Sequence, residues 1–311
     1  MVPSKEGKVT VGFSNSFAGN AFRTQLVHEL QDAVARHEDD VEELIVTDAS
    51  NSVDKQLSDI NDLLTRGVDI LLIDAASETA LNSAVQRAHA QGVLVVSFDN
   101  EVSSEHGIVV NVDQEEFGRI GGEWLAPQLQ SGDTVVTLDG AAGNPVNDQR
   151  LAGAVAALED AGITVEAGAN TDWDQAQGQS AAADLLSAHP EVAGIYSQGG
   201  GTSLGAINAI EQRGSGLMPI PGEGYNGFLK KWKELKDSSG YQSIAPSNPP
   251  SLSVDALEVA LRAVRGEDPG RTPAVELPVI TQDTLEQYVR PDLPDAFFLP
   301  AEGPLRHLHA R

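Results

Sequence analysis

The chain has 311 residues, of which 41% are hydrophobic, and its formal net charge at pH 7 is −26. Such a negative field repels phosphate backbones and anionic membrane surfaces, which argues against either as a partner. The sequence contains no cysteine, which excludes disulfides, thiolate metal sites and a cysteine nucleophile. It also contains no run of about 18 apolar residues, so no transmembrane helix is predicted.

Short β-branched runs alternate with amphipathic segments along the first 112 residues. This pattern predicts five strands, at 9–13, 43–47, 68–73, 93–98 and 107–112. Helices are predicted at 22–35, in the second part of 48–67, and over 77–92. The nearly continuous apolar run at 68–73 is typical of a strand buried on both faces. Repeated strand–helix–strand units indicate a parallel sheet covered by helices.

The alternation then restarts in the second half of the chain. Strands are predicted at 134–138, 164–166, 194–197 and 274–280. Helices are predicted at 117–129, 147–158, 176–188, 203–213 and 252–264, and a Pro-rich irregular tail begins at 281. The predicted fold class is therefore α/β, with two similar doubly wound, Rossmann-like parallel-sheet halves of about five or six strands each.

Polar and aromatic side chains follow many of these strands, where ligands of such sheets bind. The candidates are Asn15, Phe17, Asn20, Phe22, Arg23, Asp99, Asn100, Asn147, Arg150 and Trp173. Three further polar loops contain Gln198, Glu223 and Asn248. Acids and amides pair with hydroxyl groups, and flat rings cover the C–H faces of a sugar, so this set suits a polyhydroxyl ligand. Taken singly, an Asp or Asn here is more often a helix cap, and only the recurrence at many loops indicates a site.

No cofactor or metal is predicted, because phosphate-loop and H-E-x-x-H motifs are absent and the seven histidines do not cluster at ligand spacing. One competing motif, G-x-S-x-G, occurs at 201–205, between a predicted strand and helix. Acids and then His307 follow it in the order of a serine hydrolase. Three residues separate the motif from the strand, whereas a nucleophile elbow turns at the strand end. A hydrolase using Ser203 is therefore an alternative, and the prediction is that the chain is not an enzyme.

Three stretches resemble a known family. They are "LLTRGVDILLIDAASETALNSAVQRAHAQGVLVVSFDNE", "GAAGNPVNDQRLAGAVAALEDAGI" and "LLSAHPEVAGIYSQ". From Lys8 to about Ile280, the chain resembles the periplasmic solute-binding proteins of sugar transporters, in the branch that contains ribose-binding protein. The resemblance implies the type I periplasmic binding protein fold, in which two similar α/β domains are joined by a three-strand hinge.

The resemblance also implies domain boundaries and site roles. One lobe would comprise 1–112 with 247–278, and the other 113–246 with 279–311. Matching positions imply ligand-binding roles for Asn20, Phe22, Asp99, Arg150, Trp173 and Glu223. Where ribose-binding protein has Arg, Asn and Gln, this chain has Asn100, Gly199 and either Ser247 or Asn248. Several hydroxyl partners therefore differ from those that bind ribose.

The expected function is an extracytoplasmic receptor that captures a monosaccharide or polyol between the lobes by hinge closure and delivers it to an ABC transporter permease. The expected partners are that ligand and the permease, without nucleic acid, and the chain is expected to be a monomer. Arg23 and Arg150 keep a sugar acid as a further option. An alternative is the sugar-sensing effector domain of a transcriptional repressor, which shares the fold but carries a DNA-reading segment before the first strand.

The first residues, "MVPSKEG", lack the basic and apolar regions of a signal peptide. Either the protein is cytoplasmic or the sequence begins after a removed signal. The resemblance implies a periplasmic or extracellular location, with the signal segment absent from this sequence and lipid anchoring left open.

Overall fold

A computed structural model describes residues 4–299 and divides into two compact units. Unit 1 comprises the chain up to Val112 together with Pro250–Glu276, and unit 2 comprises Asp113–Pro249 together with the chain from Leu277. The chain thus passes between the units three times. The returning segment of unit 1 begins three residues after the predicted 247 and ends two residues before the predicted 278. Asn248 therefore belongs to unit 2.

Unit 1 is a three-layer sandwich around a five-stranded parallel sheet of order β2-β1-β3-β4-β5. Its strands are β1 (Val9–Asn15), β2 (Val41–Asp48), β3 (Ile70–Asp74), β4 (Leu94–Phe98) and β5 (Ile108–Val110). Its helices are α1 (Ala21–Arg36), α2 (Val53–Thr65), α3 (Asn82–Ala90) and, from the returning chain, α9 (Leu252–Val264). One core lies between the sheet and α1 with α9, and another lies under α2 and α3. Apolar side chains on both faces explain the nearly continuous apolar run of β3.

Unit 2 is built around the three-stranded parallel sheet β7-β6-β8, with a separate two-stranded antiparallel pair, β10-β9. The strands are β6 (Thr134–Asp139), β7 (Thr164–Asn170), β8 (Gly194–Ser197), β9 (Ala245–Pro246) and β10 (Val279–Ile280). The helices are α4 (Gln114–Leu125), α5 (Pro145–Asp160), α6 (Gln175–Ala188), α7 (Gly200–Arg213), α8 (Asn226–Ser239) and α10 (Leu285–Tyr288), with a short 3-10 helix at Ala126–Gln128. None of the helices in the described part of the chain is long and apolar enough to cross a bilayer.

The prediction of five or six parallel strands in each half is wrong for unit 2. The segment at 219–222 runs beside β8, and the Ile195 amide donates to the Pro219 carbonyl at 3.2 Å. Pro219 and Pro221 have no N–H group, so the segment cannot complete a ladder. The predicted strand 274–280 likewise shortens to β10, because Pro278 accepts a bond from Ser247 but has none to donate.

Helix α8 was not among the predicted elements, although its signal is present in the sequence. Phe228, Leu229, Trp232 and Leu235 recur at helical spacing, and all four are buried in the unit 2 core. Gly240 ends the helix with a φ of 74°, the left-handed conformation that glycine adopts readily. The many lysines between these apolar residues occupy the outer face of α8 and mask the pattern.

Helices α4 and α5 approach closely because glycine faces the partner backbone on each helix. A Cβ atom on Gly118 would overlap the carbonyl of Arg150, and one on Gly153 would overlap the carbonyl of Glu115. The same contact fixes the backbone from which the Arg150 side chain projects. The small residues of "FGRIGG" and "LAGA" are therefore required by helix packing.

Replacing Gly118 with alanine is expected to lower the free energy of unfolding by about 3 kcal/mol, because the backbone of α5 must move away from α4. Urea unfolding followed by circular dichroism measures the change. Gly216→Ala is the matched control, since no atom lies within 4 Å of a Cβ built there. Equal midpoints for the two variants would contradict this account of the α4–α5 contact.

Candidate functional site

In unit 1, candidate residues gather at the carboxyl ends of three neighbouring strands. Asn15 ends β1, Asp74 ends β3, and Asp99 follows β4. Asn15 and Asp74 are paired in the β1–β3 register. Because the strands are parallel and adjacent, their polar ends share one edge of the sheet, where α/β proteins place ligands.

A buried guanidinium joins the two acids of this edge. Arg23, in the first turn of α1, makes an ion pair with Asp74 and a second one with Asp99 at 2.7 Å. The three residues are 7%, 0% and 4% exposed. Burial raises the pKa of Asp74, opposed by the positive charge of Arg23 and reinforced by the neighbouring charge of Asp99. Two acids thus share one cation, and the positive charge of Arg23 is neutralised within unit 1.

The loop after β4 is held in an uncommon conformation. Asp99 has a φ of 57°, and the side-chain amide of Asn111 donates to its carbonyl at 2.8 Å. The Asn100 carbonyl accepts from the Ala75 amide at 2.7 Å, which ties this loop to the end of β3. Within residues 4–299, Nδ2 of Asn15 and Oδ1 of Asn100 are buried without a hydrogen-bond partner. These amide atoms are suited to the hydroxyl groups of a ligand.

The remaining unit 1 candidates lie outside this ion cluster. Asn20 is exposed and is the N-cap of α1, with its Oδ1 accepting the Arg23 amide at 2.8 Å. Asn20 therefore caps the helix turn that carries Arg23, and ligand contact by Asn20 stays a prediction. Phe22 is half-buried, packs against the unit 1 core and lies 5.6 Å from the Arg23 guanidinium. Phe17 is half-buried in the loop after β1. Ligand contact by Phe17 and Phe22 stays a prediction.

In unit 2, Arg150 is the centre of a second buried cluster. From α5, its Nε donates to Gln114 and its Nη1 donates to the carbonyl of Gln198, both at 2.8 Å. Nη1 also lies 3.3 Å from the Glu223 carboxylate, and the guanidinium stacks 3.7 Å from the Phe117 ring centre. Arg150 is 2% exposed and Glu223 is 5% exposed. This arginine, like Arg23, has its charge matched by a carboxylate of its own unit.

A hydrogen-bonded chain of side chains extends this cluster along the carboxyl end of β6. Gln198 Nε2 donates to Asp139 and to the Asn147 carbonyl, each at 3.3 Å. The Asn147 side chain accepts from the Gly140 amide and donates to Asp148, so its role is to hold the turn before α5. In the described part of the chain, Oε1 of Gln198 is buried without a partner. Gln198 therefore has an acceptor atom that suits a hydroxyl group, and ligand contact by Gln198 and Asn147 stays a prediction.

Trp173 lies against two glycines. A Cβ on Gly140 would overlap the indole ring, and one on Gly199 would lie 2.9 Å from its Cδ1. Trp173 has a φ of 57°, and its buried Nε1 has no partner among residues 4–299. The large ring therefore requires the small residue at 199, and the flat indole with a free N–H suits a sugar ring and its hydroxyl group.

The last candidate, Asn248, is 4% exposed and belongs to unit 2. It follows Ser247, whose amide is tied to the Pro278 carbonyl at 2.8 Å. The Ser247 hydroxyl is buried and has no partner in the described chain. The loop after β9 thus supplies buried polar side chains to the same unit as Arg150.

Sequence reasoning missed three members of these clusters. Asp74 and Asp139 are the last residues of β3 and β6, and the rule that identified Asp99 would have identified both. Gln114, which accepts from Arg150, lies at the start of α4 and has no such signal. Its role depends on the α4–α5 packing, which the sequence pattern alone does not give.

Burial raises the pKa of Asp139 to about 6, although bonds from Thr137 and Gln198 stabilise its charged form. Between about pH 4 and pH 6 the folded protein therefore holds this proton more tightly than the unfolded chain. The contribution of Asp139 to the free energy of unfolding falls as pH rises through that window and is constant above it. In the wild type this fall in the free energy of unfolding is on the order of 2 kcal/mol, and Asp139→Asn is expected to abolish it.

Urea unfolding at pH 4.5 and pH 7 measures this difference. The exposed Asp184→Asn substitution is the control and should leave the wild-type pH profile unchanged. An Asp139→Asn profile parallel to that of the wild type would show that this carboxyl does not titrate in the window.

The serine hydrolase alternative is contradicted by the surroundings of Ser203. Ser203 is fully buried on α7, and its hydroxyl is hydrogen-bonded to the carbonyls of Gly199 and Pro221 at 2.9 and 2.8 Å. The hydroxyl thus fixes the start of the helix, which is not the exposed position of a nucleophile elbow. His307 lies outside the described residues. Within residues 4–299, no group of three or more His, Asp or Glu side chains could hold a metal ion.

Comparison with known proteins shows the family to which the chain belongs. The family described as periplasmic binding protein domain matches residues 11–268. The chain is 29% identical over 286 residues to the ribose import binding protein of Bacillus subtilis, covering 90% of each chain. It is 24% identical over 250 residues to a xylitol-binding protein of Mycolicibacterium smegmatis, covering 78% of this chain and 70% of that protein.

Among solved structures, an ABC transporter solute binding protein from Mycobacterium smegmatis with bound glycerol is similar to this chain. The TM-score is 0.79 at 25% identity, and the match covers 91% of this chain and 98% of that one. The predicted α/β fold with two parallel-sheet domains is thereby confirmed. The chain belongs to the periplasmic binding protein family, in its ribose-binding-like branch, which is a family of binding proteins and not of enzymes.

Proposed function

We propose that this chain is the solute-binding component of an ABC transporter and that its ligand is a neutral monosaccharide or polyol. The observation that carries the proposal is the presence, in each unit, of a buried cluster of carboxylate, amide and guanidinium groups, with amide atoms that have no partner among the described residues 4–299. Such groups exchange hydrogen bonds with hydroxyls. The names of the relatives that bind ribose and xylitol support the same ligand class.

Charge pairing favours a neutral ligand over a sugar acid. Arg23 is matched by two carboxylates, and Arg150 is matched by Glu223 with Asp139 nearby along the hydrogen-bonded chain. An anionic ligand would have to displace a carboxylate from a guanidinium or lie beside one, and either is unfavourable in a buried site. The two arginines therefore orient neighbouring acids and donate to hydroxyls, and do not neutralise an acid group of the ligand.

The proposed mechanism is capture and presentation. A ligand with higher affinity for the closed state than for the open state would shift the population towards the closed state by that differential affinity. A membrane permease would then recognise the closed protein. In this proposal the chain acts outside the cytoplasmic membrane as a monomer, and its charge of −26 is consistent with a function that does not involve nucleic acid.

Trp173→Ala is expected to weaken binding of a neutral sugar or polyol by about 1–3 kcal/mol, through loss of stacking and burial. Isothermal titration with xylitol and D-ribose measures the change. The half-buried Trp124, which packs against the α4–α5 core, gives the control Trp124→Ala. That variant loses a ring of the same size and should keep the wild-type affinity. An unchanged affinity in Trp173→Ala would remove Trp173 from the site.

A further inference from the structure

The chain from 281 to 299 crosses the start of helix α8, and we call this segment the C-terminal strap. The sequence pattern assigned it no role. It contains the short helix α10 and joins unit 2 through a bridge between Phe298 and Tyr225. Its last described residue, Leu299, is 2% exposed and donates to the Gly224 carbonyl at 3.0 Å. The last residue of the strap is thus hydrogen-bonded to the residue that follows Glu223.

The strap supplies the N-terminal cap of α8. The N-cap position is Tyr225, which offers no side-chain hydrogen bond. In its place, strap carbonyls accept from the first two helical amides: Phe297 from Asn226 at 2.8 Å and Asp295 from Gly227 at 3.0 Å. Unsatisfied amides at a helix start are costly, so this contact stabilises both the helix and the strap.

Asn226 is the residue through which the strap is held. Its side chain is fully buried. Its Nδ2 donates to the carbonyls of Arg290, Leu293 and Pro294 at 2.8, 3.1 and 3.1 Å, and its Oδ1 accepts from the Arg290 amide at 3.0 Å. One amide side chain therefore binds the strap by both of its ends.

The turn that carries Glu223 is enclosed between the strap and α7. The Tyr225 amide donates to the Glu223 carbonyl at 2.6 Å, which closes the turn. On one side, a Cβ on Gly200 would overlap Tyr225 and lie 2.8 Å from the Glu223 carbonyl. On the other side, the Phe298 ring meets the Tyr225 ring edge to face at 5.2 Å. The turn has little freedom while the strap is in place.

We infer that the C-terminal strap positions Glu223 for the ligand, with Asn226 as the positioning residue. The inference rests on the proposed function, because Glu223 is a proposed ligand residue paired with Arg150. Asn226 does not touch the ligand in this account. It sets the place of a carboxylate that does, as supporting residues do around other binding sites.

Hydrogen–deuterium exchange of the ligand-free protein tests the strap without any ligand. In Asn226→Ala, amides over 222–226 are expected to exchange at least about fivefold faster than in the wild type, because the turn opens more often. Phe298→Ala, which removes the ring that packs on Tyr225 and against the unit 2 core, should show the same direction and is a second variant if the first folds poorly. Lys233→Gln removes an exposed strap contact with Glu286 and is the control. Unchanged exchange in both test variants would overturn the inference.

Titration with xylitol and D-ribose tests the link to the ligand. Asn226→Ala should weaken binding by about tenfold, and this loss should be absent in a Glu223→Gln background, since the strap acts through that carboxylate. Losses that simply add would overturn the positioning role. If neither compound binds the wild-type protein, the titration is repeated with whichever neutral sugar or polyol raises its melting temperature, and the exchange experiment decides by itself whether the strap holds the Glu223 turn.

Discussion

Replacing Arg150 with methionine is expected to lower the free energy of unfolding by about 3–5 kcal/mol at pH 7 and to abolish sugar binding. Arg150 is 2% exposed, and its loss leaves Glu223 buried without its cation. Gln114 and the Gln198 carbonyl also lose their donor. Methionine fills similar volume against Phe117, so the effect reports charge and hydrogen bonding more than a cavity.

Arg119 gives the matched control on the neighbouring helix. It makes ion pairs with Glu116 and Glu123, yet its side chain is 44% exposed. Arg119→Met is therefore expected to change the free energy of unfolding only slightly, because exposed ion pairs contribute little to stability. Adding Glu223→Gln to the Arg150→Met protein should recover part of the lost stability, because the uncompensated charge is removed. Similar losses for both single variants would contradict the buried pairing.

Arg23→Met is expected to have an effect of similar size in unit 1, about 3–5 kcal/mol at pH 7.5. Two buried carboxylates, Asp74 and Asp99, lose their common cation. Burial and the neighbouring charge of Asp99 then favour the protonated form of Asp74, so the pKa of Asp74, already raised by burial, rises further. The folded variant takes up protons that the unfolded chain does not, and its deficit relative to the wild type should shrink at pH 5.

Urea unfolding of both proteins at pH 7.5 and pH 5 measures this deficit. Arg36→Met, on the exposed end of the same helix, is the control and should show a small loss that is independent of pH. A deficit in Arg23→Met that is equal at the two pH values would contradict the shared-cation arrangement of Asp74 and Asp99.

Most of unit 1 could be predicted from the sequence, because its strands are short apolar runs and the first three connections between them contain helices of regular period. Unit 2 was harder for a physical reason. Its sheet is extended by 219–222, where two prolines leave backbone pairing without a regular ladder. Helix α8 was missed because its four buried apolar residues are spread among lysines.

The residue types of the candidate site could be predicted from the sequence, but its ion pairs could not. Residues after strands include Asp99, Arg150, Trp173 and Glu223, and the structure buries or partly buries all four. The ion pair between Arg23 and Asp74 joins residues 51 positions apart, and no local pattern encodes it. Without knowledge of that ion pair, the two arginines left a sugar acid as a possible ligand. With it, the charges of each cluster are matched and a neutral ligand is favoured.

Thermal unfolding against neutral and acidic sugars tests the central claim most directly. The panel would hold D-ribose, D-xylose, D-galactose, xylitol, myo-inositol and glycerol beside D-gluconate and D-galacturonate, each at about 1 mM. A ligand with a micromolar Kd would stabilise the folded protein by about 4 kcal/mol and raise its Tm by several degrees. The account predicts such a shift for at least one neutral compound and none for the acids. A shift confined to the acids, or no shift in protein shown to be free of co-purified ligand, would contradict it.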